Sequence, residues 1–161
     1  MLFISITTKQ HGMNMFKSFL PALAGAVTLN LLHELMRRRD REAPEINKIG
    51  EEALSKTIKG NGMEPPKGDQ LYALTLAGDV LANTAYYKMI GGNTTRDTLW
   101  KGLLYGIMAG VGTLTLTKPL GLDDEPVNKS KKAQGLTMLY YIAGGLVTAG
   151  VYAAINNKRS K

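Results

Sequence analysis

The sequence predicts an all-α membrane protein, a bundle of four transmembrane helices. Charge is strongly segregated: the 161 residues include 20 Lys or Arg and 13 Asp or Glu, yet 102–117 and 133–157 contain no charged residue. A soluble amphipathic helix shows a polar face every 3.6 residues, and these two segments show none. Strands are disfavoured because alternation of period two is absent and open strand edges cannot cross lipid.

Four segments approach the length of about 20 helical residues that crosses the hydrocarbon layer. The two uncharged segments supply the third and fourth spans. The second predicted span has one charged residue within 70–87, Asp79. The first predicted span is interrupted by Asn30, His33 and Glu34. The predicted spans are about 17–36, 70–90, 98–117 and 134–156, in a single domain from 16 to 157.

The first loop predicts a further helix at about 44–59. Apolar residues such as Ile46 and Ile49 recur at helical spacing, with charged residues on the other side. Glu52 and Lys56 form an i,i+4 pair in the favourable order. We interpret this amphipathic helix as lying on the membrane surface or capping the bundle. A partner-docking helix is the alternative.

Several polar residues at the segment boundaries predict where the helices begin. Ser18 is the expected cap of the first helix, Thr94 or Thr95 of the third span and Ser130 of the fourth. The stretch 1–15 is expected to be a separate N-terminal segment without regular structure, with Met13 or Met15 as alternative starts. Residues 158–161 form a basic tail.

A cluster of arginines follows the first span and predicts the orientation. Cytoplasmic loops carry an excess of Lys and Arg close to helix ends. We therefore expect the first and third loops to face the cytoplasm and both termini to face outward. The cluster comprises Arg37, Arg38, Arg39 and Arg41.

The layout of four spans and a charged first loop resembles small uncharacterised bacterial inner-membrane proteins. The segments that carry the resemblance are LLHELMRRRD at 31–40 and LYALTLAGDV at 71–80, in which polar residues interrupt apolar spans. The resemblance implies a multi-pass protein of the bacterial inner membrane, and it implies no activity.

Small residues in the last two spans predict close helix packing. Gly102, Gly106 and Gly110 recur every four residues, a double GxxxG pattern that lets another helix backbone approach. Gly144 and Thr148 give the fourth span a similar stripe. The partner helix is either within this chain or in a second copy of it.

Polar residues inside the first two spans are the candidate functional site. Charged and polar groups in lipid are costly and usually face the bundle interior or water. If the two helices form an antiparallel hairpin, these residues lie at comparable depths and hydrogen bonds between them hold the hairpin together. Asp79→Leu is then expected to destabilise by about 1–3 kcal/mol. The cluster comprises Asn30, His33, Glu34, Asp79 and Asn83.

Three functions compete for these residues. The first is a structural, assembly or accessory subunit held by small-residue packing and the polar hairpin. The second is a small oligomeric transporter or channel in which Asp79, Glu34 and His33 move ions or protons. An intramembrane enzyme is the third, and His33-Glu34-x-x-Arg37 lacks the second histidine of a zinc protease.

Composition narrows the cofactors and partners. The chain has no cysteine and two histidines, which removes thiolate metal sites, and we expect no cofactor and no metal. The net charge of +7 is explained by orientation signals, so no nucleic-acid partner is expected. The expected partners are the lipid bilayer and either another membrane protein or a second copy.

Overall fold

The structure, a computed structural model, describes the backbone of residues 2–157 and the side chains of 17–156. This part of the chain contains helices and no strands, so the predicted all-α class is confirmed. Its six helices are α1 (Leu2–Arg39), α2 (Ile46–Gly60), α3 (Asp69–Tyr87), α4 (Thr95–Leu116), α5 (Glu125–Asn128) and α6 (Lys131–Asn157).

Three helices are long and apolar enough to cross a membrane. They are Lys17–Arg39 within α1, Thr95–Leu116 and Lys131–Asn156, with mean hydropathies of 1.3, 1.2 and 1.6. Helices of this length and composition are compatible with a membrane protein. The remaining predicted span coincides with α3, which is shorter and carries Asp79, and it is not among the three.

Helix α6 is central and packs antiparallel against both α1 and α4. Near one end, Lys132 of α6 pairs with Asp40 just after α1, with 2.7 Å between Nζ and Oδ2. Farther along, Gly25 of α1 lies against Gly144 and Thr148 of α6. We call the end of the bundle that holds Asp40 the loop side, and the opposite end, toward residues 17 and 156, the terminal side.

Contact between α4 and α6 is made through glycine. An ideal Cβ on Gly102 would lie 2.6 Å from the Gly145 carbonyl oxygen, and one on Gly106 would lie 2.6 Å from the Ile142 Cα. Gly110 faces Met138 in the same way. The glycine stripe of the sequence therefore lies against α6 of the same chain, where backbone meets backbone.

Helix α2 lies across the loop side and is joined to the α4–α6 connection. The Glu45 backbone N–H donates to the Pro126 carbonyl at 3.0 Å. Glu52 accepts from the Asp123 N–H at 2.8 Å and pairs with Lys56 at 2.7 Å, and the Lys56 ammonium also donates to the Gly121 carbonyl. The predicted amphipathic helix thus caps the bundle.

Helix boundaries match the sequence in two of three cases. Thr94 caps α4, its hydroxyl accepting from the Asp97 N–H at 3.1 Å, and Ser130 accepts from the Ala133 N–H at 3.1 Å. The cap predicted at Ser18 is wrong, because α1 begins at Leu2 and Ser18 therefore lies inside the helix. Pro21, which was expected in the first turn, also lies inside it. The tail at 158–161 and the side chains of 1–15 lie outside the described residues.

Candidate functional site

A half-open cavity of about 230 Å³ lies between α1 and α3 on the loop side of the bundle. The first turn of α2 and the residues before it complete its wall. Most of the wall is apolar, and we call this space the α1–α3 cavity. Its polar lining residues are Asn30, His33, Glu34, Arg37, Asn47, Tyr72, Thr75 and Asp79.

Four of the five polar residues singled out in the sequence line this cavity. Because α1 and α3 are antiparallel neighbours, Asn30, His33 and Glu34 on α1 face the same space as Asp79 on α3. Asn83, one turn farther along α3, is not among the lining residues. Its side-chain amide donates to the Asp79 carbonyl at 2.9 Å.

The rim of the cavity is a compact ionic cluster centred on Glu34. Arg37 donates to the Glu34 carboxylate at 2.8 Å and Arg38 at 2.6 Å. Tyr72 of α3 donates its hydroxyl to the same carboxylate at 2.8 Å, and the Arg37 guanidinium lies 5.8 Å from the centre of the Tyr72 ring. Glu34 is therefore held by three donors.

The interior of the cavity lacks such pairing. Thr75 is 4% exposed, and its Oγ1, like both ring nitrogens of His33, is buried with no hydrogen-bond partner in the described part of the chain. Within residues 17–156 no hydrogen bond or ion pair reaches the Asp79 carboxylate. The His33 ring packs edge-on against Tyr140, with 4.7 Å between ring centres.

The hydrogen-bonded lock expected between Asn30 and Asp79 is absent from the described residues. The Asn30 amide donates at 3.0 Å to the Ala26 carbonyl of its own helix. A carbonyl four residues earlier is always within reach of an asparagine in a helix, whereas a bond to Asp79 must bridge the cavity. The link between α1 and α3 is instead the hydrogen bond from Tyr72 to Glu34, and nothing in the residues around Tyr72 predicts this partner.

Helix α2 closes over the cavity at Gly50. An ideal Cβ there would lie 2.6 Å from the Thr75 methyl and 3.4 Å from each oxygen of Asp79. Pro44, Ile46 and Asn47 line the mouth. Nothing in the sequence predicts this contact, since Gly50 lies within an otherwise ordinary amphipathic pattern.

On the terminal side of the cavity the helices are in direct contact. Tyr87 of α3 is fully buried and donates its hydroxyl to the Tyr141 carbonyl of α6 at 2.8 Å. Gly25 and Gly144 bring α1 and α6 together at the same level, next to the Tyr87 ring. The cavity is therefore closed on the terminal side, while lining residues such as Leu31, 56% exposed, lie on the outer face of the bundle.

Carboxylates outside the helical spans are held ionised by lysines. The hydrogen bond from Lys132 lowers the pKa of Asp40, and the one from Lys56 lowers the pKa of Glu52. Both groups are anionic at neutral pH. They anchor the loop side and do not face the cavity interior.

Comparison with known proteins yields no match: no protein family, no curated protein and no solved structure is significantly similar to this chain. Among the residues that the structure describes, no three His, Asp or Glu side chains are grouped to hold a metal ion. A functional proposal therefore depends on the geometry of the α1–α3 cavity.

Proposed function

We propose that the protein is a four-span integral membrane protein that takes up a cation or a proton in the α1–α3 cavity and moves it within the membrane. One observation carries the proposal: the Asp79 carboxylate lines a half-open cavity without a hydrogen-bond or ion-pair partner in residues 17–156. Unpartnered ionisable groups at membrane depth are costly, and they are typical of ion and proton pathways.

The position of α3 supports a fourth span. Its first turns lie beside the arginine end of α1, since Tyr72 bonds Glu34. The turn after it lies on the terminal side, where the Lys101 ammonium donates to the Gly91 carbonyl and Gly91 packs on Tyr152 near the end of α6. A helix of 19 residues rises about 28 Å, close to the hydrocarbon thickness of about 30 Å.

The outer face of α3 supports the same conclusion. Leu74 and Leu81 are 53% and 67% exposed, and apolar side chains exposed on this scale are stable in lipid and costly in water. With four spans, the arginine cluster after α1 favours a cytoplasmic loop side, and the bacterial inner membrane is the proposed location.

Thiol labelling tests this topology, and the absence of native cysteine makes single-cysteine variants simple to interpret. Asn61→Cys, in the connection after α2, is expected to resist an impermeant maleimide in intact cells. Asn157→Cys is expected to react. If Asn61→Cys reacts and Asn157→Cys resists, the orientation is reversed. If both sites give the same result, they lie on the same side of the membrane and α3 is not a span.

Flux measurements test the proposed movement. Proteoliposomes holding a pH-sensitive dye are given a pH gradient, and proteoliposomes holding a K⁺-sensitive dye are given a K⁺ gradient in a separate assay. The parent protein is expected to dissipate one of them, and Asp79→Asn to lose most of that flux. Asp69→Asn, an exposed carboxylate at the start of the same helix, is the matched control and is expected to retain it. Flux that is unchanged in Asp79→Asn contradicts the proposal.

An accessory subunit is the second candidate, and an exposed apolar groove on the terminal side favours it. Leu99, Trp100 and Leu103 of α4 line this groove together with Leu146 of α6, and Trp100 is 61% exposed. A helix of a partner membrane protein or of a second copy fits such a surface. Co-purification of a fixed partner in mild detergent, lost on Trp100→Ala, supports this candidate; a monodisperse monomer in both cases contradicts it.

A further inference from the structure

We propose that the ligand of the α1–α3 cavity is a small organic ammonium ion with Asp79 as its counter-ion. This inference rests on the proposed function and adds the chemical class of the cation. The candidates for such a site are a bare metal ion, an anion, a neutral molecule and an amine. Charge, the types of hydrogen-bonding group and the size of the cavity decide between them.

The charge of the cavity favours a cation. At the rim, the Arg37 guanidinium pairs with Glu34, with two of its nitrogens on that carboxylate at 2.8 and 3.2 Å, while Arg38, which shares the same carboxylate, has a side chain that is 73% exposed to solvent. Asp79 is the remaining charged residue of the lining. A ligand that enters beyond the rim therefore meets one uncompensated negative charge.

The polar groups left open in the interior are acceptors or can act as acceptors. Asn30 donates one amide N–H to the Ala26 carbonyl, and its side-chain carbonyl oxygen remains as an acceptor for a ligand. Thr75 offers a hydroxyl oxygen, and neutral His33 offers one ring nitrogen. An ammonium group has three N–H donors, no acceptor and a positive charge, so it complements the Asp79 carboxylate and these acceptor atoms, whereas a carboxylate or phosphate is repelled by Asp79.

Size and walls favour an organic molecule over a bare ion. A volume of about 230 Å³ corresponds to roughly eight waters at about 30 Å³ each. Much of the wall is aliphatic, contributed by Val27, Leu31, Leu76 and Val80. A bare metal ion gains nothing from these aliphatic side chains. A compact hydrocarbon group attached to the ammonium fills the space beside them.

Three nearly isosteric probes separate the classes: benzylammonium, benzyl alcohol and benzoate, titrated calorimetrically into the detergent-solubilised full chain at neutral pH. Benzylammonium is expected to bind, and the other two to bind at least tenfold more weakly. Asp79→Asn is expected to weaken benzylammonium binding at least tenfold. Asp69→Asn, exposed at the start of α3, is the control and is expected to bind as the parent does.

A second variant keeps the test valid if Asp79→Asn fails to fold. Thr75→Val preserves shape and removes the hydroxyl acceptor, so a severalfold loss of benzylammonium binding is expected, with melting at or above the parent temperature because the hydroxyl has no partner in the described residues. Equal binding of all three probes, or benzylammonium binding that neither variant weakens, overturns the inference. If the proteoliposome flux depends on Asp79 but benzylammonium does not bind, the organic class is wrong while the proposed movement of a cation or proton stands.

Discussion

The α4–α6 interface and the α1–α3 interface are built on opposite principles within one bundle. Between α4 and α6, glycines remove side chains at the contact, so that Gly102 and Gly106 meet the backbone of the partner helix. Between α1 and α3, large and polar side chains hold the helices apart around a cavity of about 230 Å³. The same small fold thus combines a closely packed half, α4 and α6, with an open half, α1 and α3, that has room for a ligand.

The difference shows that glycine alone does not create a close contact. Gly78 lies on α3 but an ideal Cβ there would have no neighbour within 4 Å, because this face points away from the bundle. Spacing determines the result: Gly102, Gly106 and Gly110 form one stripe, and the stripe faces α6. On α3 the facing stripe is instead Tyr72, Thr75 and Asp79.

The largest effect is expected from filling the glycine interface. In Gly106→Ala the new methyl would lie 2.6 Å from the Ile142 Cα and 2.9 Å from the Tyr141 carbonyl oxygen. Neither atom can move without shifting α6, so a loss of about 1–3 kcal/mol in the free energy of unfolding is expected. Unfolding in detergent, followed by circular dichroism, measures it.

Gly112→Ala is the matched control on the same helix. Its nearest neighbour is the Leu116 side chain at 3.7 Å, an ordinary contact. Replacing glycine by alanine in a helix with free space is expected to stabilise by up to about 1 kcal/mol. Equal melting of the two variants would show that the two helices separate easily at Gly106.

The next largest effect is expected at the polar link between α1 and α3. Tyr72→Phe removes the hydrogen bond from the hydroxyl to the Glu34 carboxylate. Since Arg37 and Arg38 still hold Glu34, and the site is partly exposed, a loss of about 1 kcal/mol is expected. Tyr140→Phe is the control, because the buried Tyr140 hydroxyl has no partner among the described residues. Tyr140→Phe should melt at or above the parent temperature; a larger loss there than at Tyr72 would refute the assignment of the link.

A smaller effect is expected where α2 crosses α3. Gly50→Ala places a methyl 2.6 Å from the Thr75 side chain, whose branched and buried methyl can yield only slightly. The gain in helix propensity offsets part of the clash, so a net loss of about 0.5–1 kcal/mol is expected. Gly60→Ala, with no neighbour within 4 Å, is the control. Faster proteolysis between α2 and α3 in Gly50→Ala alone would show that the helix has been displaced from the cavity mouth.

Much of the closely packed half, α4 and α6, was predictable from the sequence, and much of the open half, α1 and α3, was not. A double GxxxG pattern in an uncharged segment is a local signal, as are the caps at Thr94 and Ser130. Four polar residues of the cavity were found because polar groups in apolar segments stand out. Gly50 and Tyr72 were missed because their roles depend on which helix lies opposite, and the sequence contains no signal of that. The hydrogen bond expected from Asn30 to Asp79 was not found, because the Asn30 amide donates to the Ala26 carbonyl of its own helix.

The smallest effect on stability is expected at Asp79, where the structure reverses the sign inferred from the sequence. If Asp79 were hydrogen-bonded across a helix hairpin, Asp79→Leu would be destabilised, because a buried polar group on α1 would lose its hydrogen-bond partner. In the described residues the carboxylate has no such partner and faces aliphatic neighbours such as Leu76 and Val80. Exchanging an unpaired charge for an apolar side chain of similar size should then leave the free energy of unfolding unchanged or raise it by up to about 1 kcal/mol. Thermal melting of Asp79→Leu beside Asp69→Asn measures the difference. If Asp79→Leu melts clearly lower than both the parent and Asp69→Asn, the carboxylate has a structural partner and the cavity is part of a lock. If Asp79→Leu melts at or above the parent temperature and flux is lost, the Asp79 carboxylate serves the ligand of the α1–α3 cavity and does not stabilise the fold.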